Sequence, residues 1–191
     1  MLPSVDAFFQ IGGEVGALMR RLDWGRTPLG PPESWPQSLR TIVRIMLTSR
    51  YAMWLGWGPE LTMLYNDPYA RIIAAKHPAG LGSPAREVWS EIWDEVSPRI
   101  EQVLSTGQAT FDEALLLIME RHGYREETYF TFSYSPLSDD QGRIAGNFCV
   151  VTEDTDRVIG ERRLALLRDL AARLAQATMG REVFGAGRQW L

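Results

Sequence analysis

Residues 125–156, REETYFTFSYSPLSDDQGRIAGNFCVVTEDTD, constrain the fold more than any other stretch of the chain. Phe130, Phe132 and Tyr134 alternate with Thr131, Ser133 and Ser135, the period-two pattern of a strand with one buried face. Pro136 is expected to end that ladder because it offers no N–H. Ser138-Asp139-Asp140-Gln141-Gly142 then supplies turn residues. A second strand is expected from Ile144 to Val151, and Glu153-Asp154-Thr155-Asp156-Arg157 hands the chain directly to a helix. Two strands joined by so short a turn pair antiparallel.

The rest of the chain divides into shorter segments. Gly13 to Asp23 has helical spacing, with Val15, Leu18, Met19 and Leu22 on one side. The prolines of Arg26 to Pro32 (RTPLGPP) exclude regular helix and central strand. Ser34-Trp35-Pro36-Gln37 matches a capping box, predicting a helix to about Ser49 with Leu39, Ile42, Val43, Met46 and Leu47 on its apolar face. These two helices must bury their stripes on something, either the outer face of the sheet or a partner. Tyr51 to Trp57 and Leu61 to Tyr65 read as a hairpin about Gly58-Pro59-Glu60. Asn66 can cap a helix that begins at Asp67-Pro68 and ends by His77-Pro78. Helical turns around Arg86 to Trp89 precede a longer helix over Glu91 to Ser105, stopped by Gly107. A strand over Thr110 to Glu120 and a C-terminal helix from Thr155 to about Ala177 complete the order.

Composition narrows the class. The 191 residues suit one domain with extensions, and 45% hydrophobic and 10% aromatic residues can build a sizeable core. Packing is the first explanation for the seven tryptophans. A net charge of −4 argues against a nucleic-acid binder, which would show a basic face. Lys76 is the only lysine, an arginine bias that suggests a GC-rich bacterial genome. Cys149 is the sole cysteine, so neither an internal disulfide nor a cysteine-cluster metal site is expected. No run of about 18 apolar residues is present to span a membrane. The start, MLPSVDAFFQ, lacks the pattern of a signal peptide. The simplest expectation is a cytoplasmic protein.

The order strand, strand, short helices, longer helix, three strands resembles that of a PAS domain, over about residues 51 to 155. Tyr65-Asn66-Asp67-Pro68-Tyr69 is similar to the segment in which an asparagine ends the second strand and caps the next helix. Tyr129 to Leu137 (YFTFSYSPL) resembles the family's aromatic strand ending in Ser-Pro-hydrophobic, and Asp139 to Gly146 (DDQGRIAG) its D-x-x-G turn. Glu153-Asp154-Thr155-Asp156-Arg157 is similar to the D-I-T-E-R signature that joins the last strand to a signalling helix, with glutamate in place of the usual aspartate. The resemblance implies an α+β PAS fold: a five-stranded antiparallel sheet with short helices on one face. It would be flanked by an N-terminal helical extension (1–50) and a C-terminal helix and tail (156–191). Asp23 to Pro36 (DWGRTPLGPPESWP) and Arg86-Glu87-Val88-Trp89 to Trp93-Asp94 further resemble leaders and PAS domains of bacterial multi-sensor histidine kinases. The implied role is sensor input, with sensor or kinase domains downstream. No phosphoacceptor-histidine helix or glycine-rich ATP lid is present, so catalysis is expected elsewhere.

By resemblance to flavin-binding members, Phe130, Phe132, Tyr134, Asn147, Cys149 and Val151 should project inward, with Trp89 and Trp93, four apart on one helical face, as candidate lids. A ligand pocket and a collapsed apolar core both explain these residues. Asn147 is the best polar candidate, since a buried amide needs partners; a one-residue slip in register would turn it to solvent. Light-sensing members carry their reactive cysteine in an Asn-Cys-Arg-Phe helix absent here, so Cys149 is expected to be an inert buried thiol. Haem needs an axial ligand, and neither His77 nor His122 lies on the longer helix. The sequence thus argues against haem and photoreactive flavin and leaves any other small-molecule ligand unidentified. Asp112, Glu113, Glu120, Glu126 and Glu127 read as solvated strand-end charges. Glu153, Asp154, Thr155 and Arg157 are the expected transmission residues. Leu164, Leu167, Leu170 and Leu174 offer a homodimer seam, although association costs about as much as a few leucines contribute. A ligand-free dimerisation or docking module is the alternative, and a small enzyme the least supported one.

Overall fold

The computed structural model describes Phe9 and residues 11–186, with side chains to Gln176. It divides into two units, one ending at Glu153 and one beginning at Asp154.

The first unit opens with helix α1 (Gly13–Arg21) and helix α2 (Gln37–Thr48). Strands β1 (Ala52–Trp57) and β2 (Thr62–Tyr65) form the predicted hairpin. Helices α3 (Asp67–Ile73), α4 (Ala85–Val88) and α5 (Trp93–Thr106) follow. Strands β3 (Thr110–Met119), β4 (Glu126–Ser138) and β5 (Ile144–Glu153) complete a five-stranded sheet of order β2-β1-β5-β4-β3, antiparallel throughout. Gly107 ends α5 with φ +71°, the left-handed conformation that glycine adopts without a Cβ clash.

Register sorts the side chains. Trp54 and Tyr134 both stand opposite Cys149, and Phe132 stands opposite Val151. These five buried residues therefore share one face, which α5 covers. On the opposite face of the hairpin Leu55 and Leu64 are also fully buried, and α2 packs against β2. Farther along that same face Phe111 and Leu116 of β3 remain exposed. The stripes of the two N-terminal helices are thus buried within the chain: Val15, Met19, Leu39, Val43 and Met46 join the common core.

Several boundaries differ from expectation. Ser34 does not cap α2; it lies in a 3-10 turn (Pro32–Ser34), and Pro36 occupies the N-cap position. The carboxylate of Asp140, in the β4–β5 turn, accepts from Gln37 N (2.9 Å) and Ser38 N (2.8 Å) instead. Asp67 does the same for α1, accepting from Val15 N (2.8 Å) and Glu14 N (3.2 Å). Both N-terminal helices are therefore capped by carboxylates of the sheet domain, which satisfy their unpaired N–H groups. Strand β4 runs through Pro136 to Ser138, because β3 begins opposite Tyr134 and leaves β4 an edge there, where a missing N–H is tolerated. Helix α5 starts at Trp93 rather than Glu91.

The second unit is one helix, α6 (Thr155–Ala186), of 32 residues and about 48 Å. It continues past Ala177, where the sequence pattern fades. Residues 187–191 of the predicted tail lie outside the described residues. Among the described residues no helix is long and apolar enough to cross a membrane.

Candidate functional site

The inner sheet face, α3, α5 and the α4–α5 connection enclose an apolar cavity of about 40 Å³. Of the predicted residues, Phe130, Phe132, Tyr134, Cys149, Val151 and Trp89 line it. Trp54, Tyr69 and Ile72 complete one side, and Ile92, Val96, Leu117 and Met119 the other. Sequence alternation found the β4 and β5 contributors. It missed the helical ones, whose inward direction depends on how α3 and α5 dock.

Two predicted residues are not in the lining. Trp93 is only half-buried, because α4 ends at Val88 and α5 begins at Trp93. The two tryptophans lie on different elements, so helical spacing does not relate them, and Ile92 and Val96 face the cavity instead. Asn147 is fully buried as alternation predicts, which excludes the slipped register. It stands opposite Gly56 and Pro136, beyond the cavity, and neither its amide N nor its O has a hydrogen-bond partner in the structure.

The cavity is electrically neutral. Burial pushes the hydroxyls of Tyr69 and Tyr134 and the thiol of Cys149 well above their ordinary pKa values. Among the described residues no lysine, arginine, histidine or carboxylate lines it. The Tyr69 hydroxyl accepts from Trp89 Nε1 at 3.1 Å, a polar contact that fixes the indole against the cavity. Cys149 is buried, as expected, and its burial disfavours the thiolate. Neither histidine lines the cavity: His77 Nδ1 is 2.9 Å from the Tyr65 hydroxyl, and His122 Nδ1 is 2.9 Å from Glu126 Oε1.

The carboxylates read as solvated are in part paired. Arg99 of α5 donates to both oxygens of Asp112, at 2.6 and 2.7 Å. Arg121, in the β3–β4 loop and unremarked in the sequence, is 8% exposed. It donates to both oxygens of Glu153, at 2.9 and 3.0 Å, and to Glu126 at 3.2 Å. Its guanidinium lies 5.9 Å from the ring centre of Phe130, a cavity residue. Burial alone would raise the Glu126 carboxyl, but the hydrogen bond from His122 and the neighbouring charges outweigh it and hold it low. Glu153 is thus gripped by the same arginine that touches the cavity wall. The next residue, Asp154, opens the second unit, where its backbone O accepts from Val158 N and its carboxylate pairs with Arg157 at 3.2 Å. Arg157 also reaches Glu161 at 3.3 Å, within the first turns of α6 beginning at Thr155. Leu164, Leu167, Leu170 and Leu174 of α6 are all exposed.

Among the described residues no group of histidine, cysteine and carboxylate side chains could hold a metal ion. A search of the curated proteins finds no match. Solved structures similar to this chain include an RNA-binding light-oxygen-voltage receptor, 18% identical over 77% of this chain and 42% of its own, with a TM-score of 0.48. This chain thus spans less than half of that receptor. A sensory box sensor histidine kinase from Vibrio cholerae is 14% identical over 61% of this chain and 92% of its own (TM-score 0.44). The PAS domain of Bordetella pertussis BvgS is 17% identical over 70% and 99% (TM-score 0.44). The family model described as PAS fold matches residues 47–159, more than half of the sequence, and with its antiparallel five-stranded sheet the chain belongs to the PAS-fold family of signal-input domains.

Proposed function

We propose that this chain is the cytoplasmic signal-input module of a bacterial two-component histidine kinase, and that it passes a change at the inner sheet face to the helix after β5. The observation that carries the reading is one continuous strand. Cys149 and Val151 line the cavity, Glu153 two residues on is held by Arg121, and Asp154 leads into α6. Only Asp154 lies between the end of β5 and the start of α6.

The neutral lining selects an uncharged, largely apolar occupant, since an ion would lose its hydration without a partner. About 40 Å³ admits a few atoms; an apolar cavity that binds benzene measures about 150 Å³. Kinase context rests on the leader Asp23 to Pro36 and the segment Arg86 to Asp94, which resemble those of multi-sensor kinases. Phosphotransfer belongs to domains outside this sequence, and this chain is itself no enzyme. The exposed α6 leucines, at 164, 167, 170 and 174, form the seam of a homodimer that sets output geometry.

The test is output from the full-length protein. Thr155→Ala and Arg157→Ala are expected to alter it, and unchanged output in both would overturn the transmission reading. The small cavity favours a second reading, a ligand-free docking module. Val151→Phe, which fills the cavity, separates the two: it abolishes the response of a sensor and leaves a docking scaffold working.

A further inference from the structure

Lys76, the only lysine of the chain, is spent on one place. Its ammonium donates to Val88 O at 2.6 Å and to the two oxygens of Glu91 at 2.5 and 2.6 Å. It also lies 4.5 Å over the Trp89 ring. Glu91 Oε1 in turn accepts from Glu120 N at 3.2 Å, next to the end of β3. All three ammonium protons are therefore committed to residues that immediately flank or follow Trp89.

Trp89 also meets the cavity. Its indole lines the neutral cavity and its Nε1 donates to the cavity hydroxyl of Tyr69. Lys76, together with Gly80, Ser83, Glu87, Val88 and Ser90, lines an outer cleft of about 340 Å³. Val88 and Ser90, the chain neighbours of Trp89, thus line the cleft, and Lys76, which lines it as well, lies against the indole that lines the cavity. Trp89 is itself the C-cap residue of the four-residue helix α4, with only residues 90–92 before α5, so it sits in a short connection between helices.

We propose that Trp89 is the gate between the outer cleft and the cavity, and that the Lys76–Glu91 pair is its latch. The proposal rests on the reading of the cavity as a ligand site and adds its route of access. Opening requires two events: the Trp89–Tyr69 hydrogen bond breaks, and the residue 88–91 segment swings away once Lys76 releases Val88 O and Glu91. The ion pair is half-buried, with side chains 22% and 15% exposed, so it is not worn away by solvent. Ligand exchange would then be slow in the latched protein, and the latch, rather than the cavity wall, would set the rate.

Hydrogen exchange of the Trp89 indole N–H, followed by NMR on the ¹⁵N-labelled full chain, reads gate opening without any ligand. Trp89→Phe identifies its signal among the seven indoles. The indole of Trp24, buried and bonded to Met19 O at 2.7 Å, is the internal control. Lys76→Met, which keeps most of the side-chain bulk, is expected to speed Trp89 exchange at least tenfold while Trp24 keeps its rate. Glu91→Gln should give a smaller acceleration in the same direction, and stands as the test if the first variant does not fold. Unchanged Trp89 exchange in both variants overturns the gate, and so does equal acceleration at Trp24, which marks global unfolding. Failure of the ligand reading is separate: it appears as Val151→Phe leaving output intact, and does not touch these exchange rates.

Discussion

Leucine has opposite fates in the two units of this chain. In the first, Leu39, Leu55 and Leu64 are each 0% exposed; in α6, Leu164, Leu166, Leu167 and Leu170 are between 54% and 63% exposed. Composition does not separate them. A sheet with helices on both faces provides a second surface for most apolar side chains, Phe111 and Leu116 excepted, whereas a single helix cannot bury its own. The apolar side chains of the first unit thus find partners within the unit, while the leucines of α6 are left exposed.

The largest expected effect lies at Asn66. This fully buried side chain accepts from Met53 N and Tyr69 N and donates to Met46 O and Tyr51 O, tying α2, β1 and α3 together. Asn66→Ala leaves several buried backbone groups unpaired and should cost about 4 kcal/mol in chemical denaturation. A loss below about 1 kcal/mol would mean that the first unit is not cemented there.

Next comes the cavity. Phe132→Ala is expected to cost about 3–4 kcal/mol and to enlarge the cavity. Added benzene should raise the melting temperature of this variant and leave the wild type unchanged, as about 40 Å³ is too small for it. A benzene shift in the wild type would show that the cavity opens far more readily than its latch suggests.

Leucines of α6 should behave differently. Leu164→Ala with Leu167→Ala is expected to change unfolding of the first unit by less than about 0.5 kcal/mol, as exposed substitutions do. The same pair should move sedimentation toward monomer at fixed concentration. Monomeric wild-type protein, or a large stability loss in the variant, would break the contrast between the units.

The smallest effect belongs to the cap on α2. Hydrogen bonds from Ser38 N and Gln37 N hold the Asp140 carboxyl below its ordinary 3.8. A carboxyl lowered on folding adds stability that is present above the unfolded pKa and lost as pH falls through the folded one. Asp140→Ala should therefore melt slightly below wild type at neutral pH, and the gap should close as the pH is taken below 3.8. A gap that persists in acid would assign the effect to packing rather than to the charge.

Much of this could be read in advance. Alternation along β4 and β5 placed Phe130, Phe132, Tyr134, Cys149 and Val151 on one buried face, because side-chain direction in a strand follows from the residue count alone. Asn66 as a cap followed from local chemistry in the same way. The failures share a cause. Ser34 lost its capping role to Asp140, which is 102 residues from Ser38 in sequence, and Trp93 left the cavity because a break between α4 and α5 reset the helical phase.

The sequence by itself determined the alternation that fixes the sheet face, the order of elements, the turn at Asp139 to Gly142 and the direct passage from Glu153 into α6. All of these depend on neighbours within a few residues, where sterics and local hydrogen bonds act. Only the tertiary structure decided that Asp67 and Asp140 cap the N-terminal helices, that Arg121 grips Glu153 beside Phe130, and that Lys76 clamps the segment bearing Trp89. Those contacts join residues brought together by the burial of a common core, and no local pattern records which charge will meet which partner.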